Sequence, residues 1–386
     1  MSIKHLYPTS TPALNLNPKS SRVADPRLSC VRNSIGTYVD PVSGLIKTAP
    51  ANVARVDKDG LLVEESRTNY LPDSEDWTAW ITSFIGPGGT ISAPNKPAPD
   101  GSTNAVEITF SSTYADSCFS YFPYSATTSS TLTVSVWARS VTGTTTFRIM
   151  LRGGSPTNNY YSETFTATTK WQRFSDTLTA FTGQGEFRFT KSGTDVGPIQ
   201  FWGAQLEQGN FPTSYIPTSG STVTRSADLA SITGTNFSSW WNSSEGSIVT
   251  IAKNFPTTSG NRKAWEFNKG GTNPSSTPSG PTLVASSGSG TTFFQSPVNG
   301  NYSNSTLSLG STKTKTAFAF ATGDIAGSGD GGSTQTNTSG LDPNIKRIHI
   351  GRNRSASAGE TLNGHISRIS YYQTRVSDTA LQSLTQ

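Results

Sequence analysis

Thr131-Leu132-Thr133-Val134-Ser135-Val136-Trp137-Ala138-Arg139-Ser140 is the stretch whose reading decides the fold class. In an extended chain Leu132, Val134, Val136 and Ala138 fall on one face, and Thr133, Ser135 and Trp137 on the other. Successive strand side chains point to opposite faces, so this alternation marks a half-buried antiparallel strand. Phe147, Ile149 and Leu151 repeat it, interleaved with Arg148 and Arg152. Phe187 and Phe189 do the same around Arg188, and residues 199–207 close the series. Turn clusters such as Gly86-Pro87-Gly88-Gly89 separate the runs. Residues 67–217 therefore predict an antiparallel β-sandwich of jelly-roll type.

The same pattern returns further on. Val249 and Ile251, Leu307 and Leu309, Phe318 and Phe320, Ile348 and Ile350, and Ile369 and Tyr371 alternate between long polar loops. Residues 218–386 predict a second sandwich, ending in a short helix capped by Ser377 with Leu381 and Leu384 on one side. Between the two lies Phe211-Pro212-Thr213-Ser214-Tyr215-Ile216-Pro217, read as a semi-rigid joint because its prolines force extended backbone. Residues 1–66 are sparse in apolar side chains. Short extended pieces are read at 13–16, 28–32, 37–39 and 45–48, with a turn at Asp40-Pro41-Val42-Ser43-Gly44. Such a segment cannot build its own interior. It must lie against its own body, a neighbouring copy or another protein, which suggests an attachment arm.

Composition agrees with an all-β chain. Of 386 residues, 33% are hydrophobic and 14% charged, and the 8 Trp, 12 Tyr and 19 Phe suffice to fill cores. The net charge of +5 is spread singly, with no basic run for nucleic acid or a membrane surface. Cys30 and Cys118 are far apart and form no CxxC pair, and His5, His349 and His365 are too dispersed for a metal cage. The opening MSIKHLYPTSTP has no apolar stretch resembling an export signal, so folding in a cytoplasm is expected. No long apolar run exists for membrane insertion.

Three stretches taken together resemble a family. Gly60-Leu61-Leu62-Val63-Glu64-Glu65-Ser66-Arg67-Thr68-Asn69-Tyr70 resembles a segment of phage and prophage structural proteins. So does Trp202-Gly203-Ala204-Gln205-Leu206-Glu207-Gln208-Gly209 followed by Pro212-Thr213-Ser214-Tyr215-Ile216-Pro217-Thr218. The early Arg32-Asn33-Ser34, with Thr37-Tyr38-Val39-Asp40 and Thr48-Ala49-Pro50-Ala51-Asn52, is similar to the leading part of that family. Leu362-Asn363-Gly364-His365-Ile366-Ser367-Arg368-Ile369-Ser370-Tyr371-Tyr372 looks like the last strand of a concanavalin A-like (laminin G-like) domain. The resemblance implies an N-terminal attachment arm (1–66), a carbohydrate-binding-module-like jelly roll (67–217) and a concanavalin A-like sandwich (218–386). It implies a virion protein, a tail fibre or fibre-like appendage, assembled in the host cytoplasm. Such a protein would dock to other virion proteins through the arm, form a homotrimer, and recognise a host-surface glycan. The alternative is a capsid-decorating or joint protein whose sandwiches serve as spacers without a ligand.

Glycoside hydrolysis requires two carboxylates about 5–10 Å apart. Concanavalin A-like glucanases carry them in a pattern resembling Glu-x-Asp-x-x-Glu. The acids of the third segment, Asp228, Glu245, Glu266, Asp324, Asp330, Asp342, Glu360 and Asp378, show no such pattern, and the chain reads as no enzyme. Aromatic faces that stack on a sugar ring are the sharper candidates: Trp77 and Trp80, Tyr121 and Tyr124, Tyr160 and Tyr161. Trp137 fits either core or platform, whereas Trp202 is expected in the core beside Ala204 and Leu206. Trp240 and Trp241 are expected to wedge the second sandwich against the joint. No cofactor is expected. A structural calcium would draw on Asp73, Glu75, Asp76 and Glu207, a loose set for an ion that takes six to eight oxygens.

Overall fold

The computed structural model describes residues 11–76, 89–112, 118–126, 131–153, 157–179, 183–253, 260–269, 280–286, 290–296, 306–338, 344–352 and 360–386, with backbone only at 118–126. It is all-β and divides into two compact units. Residues Arg67–Arg225, with the short piece Gly44–Thr48, form one. The other combines residues up to Ser43, Ala49–Ser66 and Ser226–Gln386. In sequence the first unit is inserted into the second.

Among the described residues, the inserted unit is a sandwich of two five-stranded sheets. One runs Gln172–Thr179, Thr131–Ser140, Ile199–Gln208, Val106–Thr109, Thr90–Ile91 in antiparallel order. The other runs Cys118–Ala126, Gly183–Lys191, Thr145–Gly153, Asn158–Tyr161, with Phe165–Ala167 also paired to Thr145–Gly153. Leu132, Val134 and Val136 from the first sheet and Phe147, Ile149, Leu151, Phe187 and Phe189 from the second fill one core, as the alternation predicts. Val223–Arg225 pairs with Arg67–Asn69, which brings the two ends of the insertion together in one short ladder.

The discontinuous unit packs an eight-stranded sheet on a seven-stranded one, counted among the described residues. Their inward faces share a core that includes Trp240, Trp265, Phe294, Phe318 and Tyr371. Trp240 and Trp241 stack within this core on Phe237, Phe267 and Tyr371, rather than wedging a joint. The C-terminal helix Asp378–Leu384 is capped by Ser377 as expected, its Oγ accepting from Ala380 N at 3.3 Å.

The opening segment is not a separate arm. The boundary expected at residue 66 does fall between the two units, but the residues before it belong with Ser226–Gln386, and the boundary expected at 217 lies at Arg225. Its strands fall within a residue of the expected positions, at Leu14–Leu16, Ser29–Val31, Gly36–Val39 and Ile46–Ala49. Leu14–Leu16 and Gly60–Val63 both pair with Gly364–Tyr372, and Ser29–Val31 pairs with Leu229–Thr233. Leu14, Leu16, Val56, Leu61 and Val63 are core residues of this sandwich. The segment does lack an interior of its own, and the strands of residues 226–386 supply one. Of the three supports expected for it, its own body is the one it lies against.

A buried charge network fixes this arrangement. Asp228 receives Arg32 Nη1 at 2.9 Å on one oxygen, and Arg55 Nη2 on the other. Arg55 also reaches Glu64 at 2.8 Å and the Thr37 carbonyl at 2.9 Å. Asp228 Oδ2 accepts Glu64 N, while Asp228 N donates to the Glu64 carbonyl, each at 2.9 Å. Burial works against the Arg55 charge, but Asp228 and Glu64 together outweigh it and hold its pKa above the ordinary guanidinium value.

Removing one member of such a network strands the others without solvent. Asp228→Ala leaves Arg32 and Arg55 buried and is expected to cost about 3–5 kcal/mol by chemical denaturation. A chain beginning at Arg67 is expected to keep the melting transition of the inserted sandwich and to lose that of residues 226–386. Retention of both transitions in calorimetry would show that the opening strands are dispensable.

Candidate functional site

The acids of the discontinuous sandwich are committed to structural bonds. Beyond Asp228, Lys263 holds Glu266 at 3.1 Å and Glu360 at 3.5 Å. Arg375 pairs with Asp324 and Asp378, and its backbone N–H donates to Glu245 at 2.9 Å. Asp330 accepts Thr314 N and Lys315 N. Glu65 is bound by Asn363 at 2.8 Å and Arg262 at 3.3 Å. Asp342 lies outside the described residues.

In the inserted sandwich the outward face of the first sheet is closed by its own chain. Asn69 accepts Leu71 N and Leu206 N, and donates to the carbonyls of Ala204 and Ile216. Gln205 Oε1 accepts Ile216 N at 2.6 Å, and Glu207 accepts Thr213 N at 3.0 Å and the Thr213 hydroxyl. Arg173 reaches the Thr213 carbonyl at 2.5 Å and Ser135 Oγ at 2.9 Å. Thr213, Tyr215, Ile216 and Thr218 are buried. The expected joint is thus a strap across its own sheet.

Trp202 is buried, though on a different face from the one expected. Between Ser135 and Trp137 the register slips, so that Val136 faces both Gly203 and Ala204. Gly203 takes φ +63° at this bulge, a conformation costly for other residues, and a Cβ there would meet the Tyr215 ring at 3.2 Å. The slip turns Trp202 away from Ala204 and Leu206. Its ring lies 4.6 Å from that of Tyr215, and its Nε1 donates to Asn104 at 2.9 Å. Tyr215 and Asn104 both donate to Glu75, at 2.9 and 3.0 Å. Burial raises the Glu75 carboxyl above its ordinary value, against the bonds from Tyr215 and Asn104. Burial, then the Glu75 charge, raises the Tyr215 hydroxyl too. Glu75 and Glu207, offered as calcium ligands, are thus engaged by protein groups, and Asp73 accepts Gly220 N at 2.6 Å. Among the described residues no three His, Cys, Asp or Glu side chains converge as a metal cage.

The outward face of the second sheet carries no such strap among the described residues. Ile149 and Leu151 point into the core, so Arg148, Met150 and Arg152 belong to the other face, where Met150 is itself buried between its neighbours. Tyr160 packs on the core opposite Leu151, which places Asn159 and Tyr161 outward, opposite Arg152 and Met150. Arg188 and Glu186 complete the face, facing Met150 and Arg152 in register. Arg188 Nε donates to Glu186 at 2.7 Å, and Arg148 Nε to Thr164 Oγ1 at 2.9 Å. Tyr161 is 42% exposed, although large apolar side chains ordinarily prefer cover. An exposed ring flanked by amide and guanidinium donors can stack on the apolar side of a sugar and bond its hydroxyls.

Among the described side chains of the six aromatics singled out, Tyr161 is the exposed one; the side chains of Tyr121 and Tyr124 lie outside the described residues. Tyr160 is largely a core residue. Tyr121 pairs in register with Phe187 and Tyr124 with Gly185, with a bulge between. Trp77 and Trp80 lie outside the described residues. Trp137 is half-buried, facing Trp202 and Arg173 in register. Sequence reasoning missed Arg148, Arg152, Asn159 and Glu186 as site residues. The signal was present in the polar half of the alternation that located the core.

No family model matches the chain, and no curated protein matches it. Among solved structures, the xylan-binding domain CBM22-1 of Paenibacillus barcinonensis Xyn10C is 10% identical, covers 38% of this chain and 94% of its own, and has a TM-score of 0.29. A family 11 carbohydrate-binding module of Clostridium thermocellum is 12% identical over 37% and 96%, with a TM-score of 0.27. The NanB sialidase of Streptococcus pneumoniae is 14% identical over 40% of this chain and 26% of its own, with a TM-score of 0.31. Scores of this size bear on neither the family nor the function of this chain.

The buried Glu75 gives a pH signature. A carboxyl whose pKa is raised by folding contributes stability that is complete below its unfolded value and lost as pH climbs through the folded one. From about pH 4 upward, the wild-type inserted sandwich should therefore lose thermal stability relative to Glu75→Gln. Parallel pH profiles of the two melts would contradict this assignment.

Proposed function

We propose that the chain is a non-catalytic saccharide-binding protein that works on the surface of a bacteriophage particle as a fibre or fibre-like appendage. Its binding face is the outward side of the sheet carrying Thr145–Gly153, Asn158–Tyr161 and Gly183–Lys191. The observation that carries this reading is an exposed Tyr161 set among polar side chains of its sheet face, while the opposite sheet is closed by its own strap. A tyrosine, an amide and guanidinium groups within neighbouring register positions are the chemistry a pyranose needs.

The particle assignment draws on the ordered resemblance of three stretches to phage structural proteins, with the discontinuous sandwich as the concanavalin A-like part. In this reading the protein is assembled in the host cytoplasm, forms a homotrimer on the virion and recognises a host-surface glycan. Docking to the particle falls to a surface of the discontinuous sandwich, because the opening strands are occupied within it.

Binding of the full chain to a glycan array tests the function, and imaging of labelled particles tests the location. Tyr161→Ala is expected to weaken saccharide binding about tenfold, the loss of one stacking contact of roughly 1–2 kcal/mol. Unchanged melting of that variant would assign the loss to the surface. A chain that binds no saccharide at millimolar concentration would instead be a spacer.

A further inference from the structure

Arg148, Arg152 and Arg188 project from the proposed face, with Glu186 beside them and Asp195 bound to Thr146 at its end. Arg188 and Glu186 satisfy one another, leaving the other two cations. Arg152 is 41% exposed, and its approach to Glu186, at 3.9 Å, is too long for a hydrogen bond. Among the described residues it donates to no protein acceptor. Arg148 gives only its Nε to Thr164, and its terminal nitrogens likewise find no acceptor there. A guanidinium has five donors in a rigid fork suited to a two-oxygen anion. Two such forks with unspent donors stand on the same face as Tyr161. Cross-strand neighbours lie about 5 Å apart and diagonal ones about 7–8 Å. Tyr161, Arg152 and Asn159, set over the buried Met150, therefore outline an area about the size of one sugar ring and its substituent.

We propose that this face selects anionic saccharides, one carboxylate or sulfate group being held by Arg152 while the ring stacks on Tyr161, and a second, about 13 Å further along the strand, by Arg148. The inference rests on the saccharide-binding reading and adds the substrate class. Neutral hydroxyls would leave the two forks with water alone. An anionic substituent exchanges weak contacts for charge-assisted ones, which are about twice as strong. Glu186 sharpens the choice, since it keeps Arg188 occupied and repels a substituent placed on the wrong side.

The test compares oligogalacturonate with its methyl ester, a pair that differs in the charge of one group per sugar, and adds a sulfated galactan. Binding to the full chain is measured by calorimetry at near-physiological salt. The acid or the sulfated galactan is expected to bind at least tenfold more tightly than the ester, and which of them does so identifies the anion. Arg152→Gln and Arg148→Gln, singly and together, are expected to abolish that preference without removing residual binding of the ester. Arg22→Gln, an equal change of charge in the discontinuous sandwich, is expected to leave it intact. Equal affinity for acid, sulfated galactan and ester overturns the anion selectivity and leaves saccharide binding standing. A preference that survives in the double variant, or falls equally in Arg22→Gln, overturns it too. No binding of any of the three, nor of neutral glucans, overturns the saccharide reading as well. The comparison on the unaltered protein decides even if a variant fails to fold.

Discussion

Everything in the discontinuous sandwich depends on keeping Asp228 company. A carboxylate with almost no exposure must be surrounded by donors, and its donors come from Arg32, Arg55 and the backbone of Glu64, all in the opening segment. The cost of burying these charges is offset only when all are present together. Hence the opening strands cannot be left half-docked: an incomplete network is worse than none. The apolar contacts of Leu14, Leu61 and Val63 add the hydrophobic part of the same closure. Specificity of pairing, more than raw stability, is what such a network contributes.

The most recognisable stretches of the sequence prove to be fasteners. Glu64 and Glu65, just past the end of the strand Gly60–Val63, serve two different partners, Arg55 and Arg262. Asn69, Gln205 and Glu207 are spent on the backbone of the strap, and Tyr215 closes over Trp202. Buried side chains that satisfy backbone groups tolerate little change, because each replacement leaves an orphaned N–H or carbonyl. Distinctive residues at distinctive spacing can therefore signal a joint in the architecture as readily as a site of chemistry.

Much of the fold was legible. The period-two runs located the strands of both sandwiches, and the sparse opening segment was correctly seen to need a body to lie on. Which body was not legible, since the partner strands of Leu14–Leu16 lie at the far end of the chain and no local pattern encodes that pairing. The face of Trp202 was misread for a comparable reason: a one-residue bulge at Gly203 reverses every side chain beyond it, and alternation alone carries no mark of where it slips. The candidate face was half legible. Tyr161 stood out as an aromatic, but the arginines beside it had been read only as the solvent half of strands whose other half mattered.

The placement of the inserted sandwich sets a timetable for synthesis. Arg32 and Asp228 are separated by 196 positions. At roughly 5–20 residues per second, the opening strands wait on the order of 10–40 s before their partner leaves the ribosome. During that interval the insertion, whose own ends meet in the ladder of Arg67–Asn69 with Val223–Arg225, can complete itself. Its closure then presents the emerging Asp228 close behind the strand end that must receive it, replacing a search over the whole intervening chain by one over a few residues.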